Sequence, residues 1–147
     1  MIARLLLIAG LVALAGCGRG GSDPPIATVE FIVPTGFTGP VWVLTDPSAP
    51  DIPNSNGTYR VNVPKGGLLR AKSIQPLQER HKPKASYDDG TPLPLGDEAD
   101  LGQVAFRDGN PGILERGGLD FPYALYFVGT DEQFAKFLAG DSKPKVK

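Results

Sequence analysis

The stretch IATVEFIVP, residues 26–34, decides the fold because its apolar and polar residues alternate. One face of the extended chain carries Val29, Phe31 and Val33, and the other carries polar residues together with Ile32. Alternation with a period of two is typical of a β-strand that has one face in a core. The folded part of the chain is therefore predicted to begin with a strand.

Five further stretches indicate more strands. They cover residues 41–45, 58–64, 68–74, 102–109 and 123–129. The chain also has nineteen glycines and fifteen prolines, which destabilise helix interiors and suit turns. We therefore predict a mainly β protein, namely a small antiparallel β-sandwich of about six or seven strands.

One segment near the end of the chain has helical periodicity. Thr130 is a good N-cap residue, and Gln133 stands three residues later, which is the pattern of a capping box. Phe134, Phe137 and Leu138 recur at the spacing of one helix face. We therefore expect one short C-terminal helix that lies on a sheet.

Residues 75–99 are predicted to form an extended, exposed loop with a short turn of helix. The segment holds four prolines and few apolar residues, and proline interrupts both helices and β-ladders. Loops of this length in a small domain are often functional or mobile. This segment is therefore where we look for binding residues.

The first residues have the pattern of a secretory signal. Arg4 precedes an uncharged apolar run from Leu5 to Ala15. That run is about half the roughly 20 residues that a membrane-spanning helix needs. Residues 1–16 are therefore predicted to be a signal peptide.

The end of this run, Leu14-Ala15-Gly16-Cys17, resembles the lipobox of bacterial lipoproteins at all four positions. The resemblance implies that Cys17 receives a diacylglyceryl group, that the preceding peptide bond is cut, and that the new amino group is acylated. Several acyl chains hold a protein stably at a membrane, whereas one does not. Because Gly18 follows rather than aspartate, family sorting implies the outer membrane, or the outer leaflet in a cell with one membrane. The alternative is an ordinary signal peptide with an incidental cysteine.

The remaining chain divides into three predicted segments. Residues 17–25 form a flexible tether, since no apolar residue follows Cys17 before position 26. Residues 26–140 form a single β-rich domain, and residues 141–147 form a polar tail that is expected to fray.

Composition excludes one class of partner. The net charge of the 147 residues is −1, whereas a nucleic-acid-binding domain usually carries a strong basic excess. With 41% apolar residues, the chain can build a core and is not a disordered protein. We therefore expect one folded domain that does not bind nucleic acid.

Three motifs, VPTGFTGPVWV, VPKGGLL and YFVGTDEQF, resemble a family of small secreted bacterial proteins known as a domain of unknown function. The family pattern runs Ile/Val-Pro-x-Gly-Tyr/Phe-x-Gly, then Ile/Val-Pro-x-x-Gly-x-Leu, then Phe-Val-Gly-Thr, and the resemblance spans residues 31–134. The chain departs from it at Pro40, at Gly67 and in a polar insertion over 75–99. The resemblance implies no catalytic residue. The strand–turn pattern is also similar to transthyretin-like sandwiches such as carboxypeptidase regulatory domains, which concerns the fold alone.

Few side chains could carry out catalysis. His81 is the single histidine, and one histidine makes neither a His-rich metal site nor, without a nucleophile motif, a catalytic triad. Cys17 is no nucleophile once it is acylated. We therefore expect no cofactor, no metal and no catalytic residue.

Charged residues cluster in the 79–100 loop. The candidate binding residues are Asp88, Asp89, Asp97, Glu98, Arg80, His81 and Lys82. Paired carboxylates can serve glycoside hydrolysis or bind calcium, although the segment lacks the alternating acidic ladder of an EF-hand. The other interpretation is a solvated charged loop.

Aromatic residues on the predicted strands have two interpretations. They either fill the core or form a stripe that binds a sugar or a peptide. These residues are Trp42, Tyr59, Phe106, Tyr123, Tyr126 and Phe127.

Two functions remain in view. The first is a membrane-anchored envelope lipoprotein that acts as a non-enzymatic binding module for an envelope protein or a cell-wall component. The alternative is a hydrolase, or a lipoprotein that binds calcium or a small ligand through the carboxylates of the 79–100 loop.

Overall fold

A computed structural model describes residues 26–146. The predicted signal peptide, lipobox and tether lie outside the described residues. Over 26–146, none of the helices is long and apolar enough to cross a membrane.

Ten strands and two short helices make up this part of the chain. In chain order they are β1 (Ala27–Val33), β2 (Gly39–Thr45), β3 (Asn54–Ser55), β4 (Thr58–Asn62), β5 (Leu68–Ala71), α1 (Gln75–Gln78), β6 (His81–Tyr87), β7 (Pro92–Leu93), β8 (Ala105–Asp108), β9 (Gly112–Arg116), β10 (Leu119–Gly129) and α2 (Asp131–Leu138). Sheet A has the strand order β3-β4-β1-β6-β7. Sheet B has the order β5-β2-β10-β8, and β9 also pairs with β10.

The two sheets pack against each other through their alternating apolar side chains. Val29, Phe31 and Val33 of β1 are fully buried, and they share one core cluster with Val41 and Val43 of β2. Full burial of such a side chain contributes about 1.5–3 kcal/mol. The predicted small β-sandwich with a short C-terminal helix is therefore confirmed.

Three aromatic rings join the sheets. The ring centroid of Phe31 lies 4.5 Å from that of Phe106 and 4.5 Å from that of Tyr126. The rings of Phe106 and Tyr126 are 5.2 Å apart. Such aromatic pairs add about 0.5–1.5 kcal/mol each beyond the area that they bury.

Strand directions are mixed, which corrects the prediction of an antiparallel arrangement. Strand β1 runs parallel to both β4 and β6, and β2 runs parallel to β5. Alternation of side chains is the same in parallel and antiparallel strands, so the sequence pattern did not determine the direction. Because Thr28 pairs with Thr58, the segments VPTG and VPKG end neighbouring strands at the same level.

The prediction of a loop over residues 75–99 is wrong, because strand β6 lies within it. This strand pairs with β1 from His81 to Tyr87, but β7 pairs only with Ala85 and Ser86. The first half of β6 is therefore an open edge of the sheet. Pro83 is tolerated there because its missing N–H is not needed for pairing, and Lys82 and Lys84 discourage pairing with another strand. These same residues gave the segment its loop-like composition.

Helix α2 covers the outer face of sheet B. The predicted capping box is present: the Gln133 N–H donates to Thr130 Oγ1, and the Thr130 N–H donates to Gln133 Oε1. The ring of Phe137 packs 5.3 Å from that of Phe127 and 6.1 Å from that of Trp42. The outer face thus forms a second, smaller apolar layer.

The predicted tail continues this layer. Trp42 Nε1 donates a hydrogen bond of 3.2 Å to the carbonyl oxygen of Ser142. Val146 packs against the cluster that contains Leu44, Tyr123 and Leu125. Residues 142–146 therefore lie along the sheet instead of extending away from it.

Gly67 and Gly66 form a matched pair for testing this packing. Gly67 has a φ of +72°, and a Cβ there would overlap the carbonyl oxygen of Pro40, whereas a Cβ on Gly66 meets nothing within 4 Å. We expect Gly67→Ala to lower the free energy of unfolding by about 1–3 kcal/mol, and Gly66→Ala to change it by less than about 0.5 kcal/mol. Urea unfolding of both variants measures the difference, and equal midpoints would contradict the described turn.

Candidate binding site

The pairing along one edge of β10 is interrupted between β8 and β9. Strands β8 and β9 lie one after the other along the same edge of β10. Asp108 pairs with Tyr126, and Gly112 pairs with Tyr123. Three residues, 109–111, therefore face two residues, 124–125, which makes a β-bulge. Bulges interrupt the ladder and redirect side chains, and they are frequent beside functional sites.

Gly109 permits the close approach at this bulge. A Cβ at position 109 would lie 2.6 Å from Leu125 Cγ, so any larger residue would push the strands apart. The Gly109 N–H donates a hydrogen bond of 2.9 Å to the Leu125 carbonyl oxygen. The backbone at the break is thus held in place.

A cleft opens at the bulge, between the edges of the two sheets. This Tyr126 cleft has a volume of about 450 Å³ and is lined by Leu77, Gln78, His81, Asp108, Gly109, Pro111, Ala124, Leu125 and Tyr126. His81 comes from the open edge of β6, and Asp108 ends β8. The volume lies within the range of about 300–1,000 Å³ that is usual for small-molecule sites.

A second cleft adjoins it through Asp108. This Arg107 cleft has a volume of about 610 Å³ and is lined by Pro83, Leu95, Gly96, Asp97, Phe106, Arg107, Asp108, Asp131 and Phe134. Asp108 therefore stands between two concave surfaces.

Arg107 links helix α2 to sheet B and to the segment before β8. It is 6% exposed, and it is the one buried charged side chain within residues 26–146. Its guanidinium pairs with Asp131 at 2.7 Å and donates to the carbonyl oxygens of Gly129, Gly96 and Gln103. A planar donor group of this kind can hold several acceptors in one geometry. Arg107 is thus committed to structure.

Asp108 differs from the other acidic residues. Partial burial raises the pKa of its carboxyl above the usual value, the charge that His81 can carry opposes this shift, and the charge of Asp97 adds to it. The ion pairs of residues 26–146 are Arg60–Glu30, Arg70–Asp46 and Arg107–Asp131, so Asp108 takes part in none of them. A carboxylate that is crowded but not neutralised is a common feature of binding and catalytic sites.

Two of the predicted binding residues lie close to this site. His81 lines the Tyr126 cleft, and Asp97 lines the Arg107 cleft. Both affect the pKa of Asp108 through their charge. The structure thus brings together His81 and Asp97 around a residue that the sequence analysis did not select.

Asp88 and Asp89 lie elsewhere, in the turn after β6. Asp88 Oδ1 accepts hydrogen bonds from the N–H and the hydroxyl of Thr35, at 2.9 and 2.5 Å, and Asp89 Oδ1 accepts one from the Thr91 N–H at 2.8 Å. These bonds hold the pKa of each carboxyl below its usual value. Both residues therefore close turns, which is the structural use of an Asp at this position.

The other three predicted residues make no shared site. Glu98, Arg80 and Lys82 are exposed. Lys82 pairs in register with Thr28 of β1, and paired residues of parallel strands point to the same face, so it lies on the outer, polar face of sheet A. Over residues 26–146, no group of three or more His, Cys, Asp or Glu side chains is placed to hold a metal ion.

The aromatic residues follow the core interpretation. Phe106, Tyr123, Tyr126 and Phe127 are all buried. Tyr59 and Trp42 are partly buried and pack against the two apolar clusters.

Sequence reasoning missed Asp108 and Arg107, and it considered Tyr126 only as one of six aromatic residues of the core or of a binding stripe. A local signal was available, because the run from Gly109 to Gly112 breaks the strand pattern immediately after an Arg-Asp pair. That signal marks a break without showing which residues face it across the sheet.

Comparison with known proteins adds little to this geometry. No protein-family model matches the chain, and no curated protein matches it. The resemblance to the uncharacterised secreted family therefore rests on its motifs. Among solved structures, the chain is similar to a crystal structure described as a "Putative Lipoprotein from Bacillus anthracis", with a TM-score of 0.46 and 15% identity over 82% of this chain and 80% of that one.

Substitution of Arg107 tests its role in linking helix α2 to sheet B. Arg107→Ala leaves three carbonyl groups without their donor, and we expect the free energy of unfolding to fall by about 2–4 kcal/mol. Arg60→Ala is the control, because that arginine forms an exposed pair with Glu30 and exposed pairs are worth about 0–1 kcal/mol. Denaturant titration compares the two, and an equal loss in both variants would refute the assigned role.

The raised pKa of Asp108 predicts a pH-dependent stability. A carboxyl with a raised folded pKa adds stability below its unfolded pKa of about 3.9, and this contribution is lost as pH rises through the folded pKa. Asp108→Asn should therefore be more stable than the native chain at pH 7, by less than about 1 kcal/mol because the group still contacts water. Thermal unfolding from pH 3 to pH 7 should show the advantage growing with pH, and Asp51→Asn, which lies outside both clefts, is the control. An advantage that is constant over this range would contradict the shift.

Proposed function

We propose that the chain is a lipid-anchored lipoprotein of a bacterial cell envelope, in which the β-sandwich is a non-enzymatic binding module. The observation that carries the anchor is the lipobox Leu14-Ala15-Gly16-Cys17 at the end of an apolar leader. Gly18 after the cysteine favours the outer membrane. The partner is an envelope protein, a cell-wall component or a small molecule of the same compartment.

The folded domain suits this arrangement. Its first strand begins at Ala27, ten positions after Cys17. A flexible segment of that length reaches on the order of 17 Å by root-mean-square distance. The predicted tether would keep the domain within about that distance of the lipid surface.

Binding is favoured over hydrolysis by the placement of the carboxylates. Asp88 and Asp89 are engaged in turns, whereas Asp97 lines the Arg107 cleft. The acid and base of a hydrolase must face one substrate bond, and these residues belong to different parts of the fold. The clefts beside Asp108 supply concave surfaces that a binding module requires.

Cys17→Ser tests the anchor. The serine variant lacks the thiol that carries lipid, so we expect it to leave the membrane fraction and to incorporate no radiolabelled palmitate. The measurement is fractionation of cells that express the full chain, with detection of the protein and of the label.

Gly18→Asp is the matched control for this experiment. It keeps the thiol, so labelling and membrane association should persist, and in a cell with two membranes the protein should shift to the inner one. A Cys17→Ser protein that stays in the membrane fraction would rule out the lipid anchor.

A further inference from the structure

The Tyr126 side chain places one polar group, its hydroxyl, at the Tyr126 cleft. Tyr126 is 4% exposed, and its ring is held by Phe31 and Phe106 in the core. Its hydroxyl receives no hydrogen bond from residues 26–146, although the side chain lines the cleft. Every buried side-chain nitrogen or oxygen atom of residues 26–146 has a hydrogen-bond partner. This unpaired hydroxyl is therefore not fully buried, and it reaches the cleft, where a ligand or solvent can bond to it.

Asp108 provides the charge at the same place. It is the direct cross-strand partner of Tyr126, so the two side chains leave neighbouring strands on the same face. The arginine next to it in sequence is engaged with Asp131. The carboxylate therefore lies beside the free hydroxyl without a cation of its own.

His81 adds an acceptor. Its Nδ1 lies 2.8 Å from the carbonyl oxygen of Glu79, and a carbonyl oxygen only accepts, so Nδ1 carries the hydrogen. With the hydrogen on Nδ1, Nε2 is an acceptor whenever the ring is neutral. The polar groups of the cleft are thus a carboxylate, an imidazole nitrogen, a hydroxyl that can donate or accept, and the side-chain amide of Gln78.

Most of the remaining lining of the cleft is apolar. Leu77 of α1, Pro111 of the bulge, and Ala124 and Leu125 of β10 complete its wall together with a glycine. A ligand that matches the whole surface needs several hydrogen-bond donors at one end and hydrocarbon at the other. An ammonium group has three donors and a positive charge, which suits the carboxylate better than a neutral hydroxyl does.

We propose that the Tyr126 cleft binds a small primary amine, with the ammonium group held between Asp108 and Tyr126 and the hydrocarbon body against Leu77, Pro111 and Leu125. A metal ion fits less well, because the cleft offers a single carboxylate and one histidine as ligands. An anion is disfavoured by the same carboxylate. This inference names the ligand class for the binding role proposed above, and its test does not involve the lipid anchor.

Benzylamine is the probe, and benzyl alcohol is its uncharged counterpart of the same shape. The protein is the full mature chain, residues 17–147, with Cys17→Ser, which removes the lipid and changes none of the described residues. Titration followed by ¹H–¹⁵N NMR should give a Kd of about 1 mM or tighter for benzylamine. The largest shifts should fall on the amides of Gly109, Leu125 and Tyr126, and benzyl alcohol should bind at least about tenfold more weakly.

Two substitutions separate the charge from the hydroxyl. Asp108→Asn should weaken benzylamine binding at least about tenfold, and Tyr126→Phe, which keeps the ring in the core, should weaken it about threefold to tenfold. Asp51→Asn and Tyr59→Phe are the matched controls at positions outside the cleft and should leave the Kd unchanged. The spectra of all variants also report whether they are folded.

Three results would overturn the proposal. The first is that benzylamine does not bind up to about 20 mM, a concentration well above the expected Kd. The second is equal affinity for benzylamine and benzyl alcohol, and the third is an unchanged Kd for benzylamine in Asp108→Asn. Shifts centred on another surface would have the same meaning. Each of these leaves the lipid anchor unaffected, because release from the membrane by Cys17→Ser is measured separately.

Discussion

The contact of Phe31 with Phe106 and Tyr126 is the interaction on which the rest of the structure depends. It is the place where the central strand of sheet A meets two strands of sheet B. Protein interiors are close-packed, so these rings cannot shift without disturbing both sheets. The same packing fixes the position of the Tyr126 hydroxyl at the opening between the sheets. The core of this protein therefore also builds the floor of its cleft.

The β-bulge after Asp108 supplies the second half of that arrangement. Without the extra residue, β8 and β9 would form one continuous strand and would close the edge of β10. With it, the strand is interrupted beside the carboxylate, and Arg107 on the opposite face ties the wall to α2. Asp108 is left without a counter-ion, and partial desolvation raises the pKa of its carboxyl. Carboxyl groups with a shifted pKa are common in sites that bind or react.

Much of this fold could be predicted from the sequence, and the exceptions have a physical cause. Strand β1 and the capped helix α2 have strong local patterns, and both form where those patterns lie. Strand β6 was missed because its lysines and Pro83 suit an open edge, and edge strands have the composition of loops. In the site, His81 and Asp97 were selected for their charge alone. Asp108 was not selected, and Tyr126 was considered only among the aromatic residues. Their pairing across the sheet is set by long-range register, which local periodicity does not encode.

The register at the bulge is the most direct test of this account. Cross-strand NOEs between backbone protons in the isotope-labelled mature chain can determine which residues face each other along β10. The account predicts that Asp108 faces Tyr126 while Gly112 faces Tyr123. A continuous ladder, in which Gly112 faces Pro122 instead, would remove the bulge and contradict the cleft that depends on it.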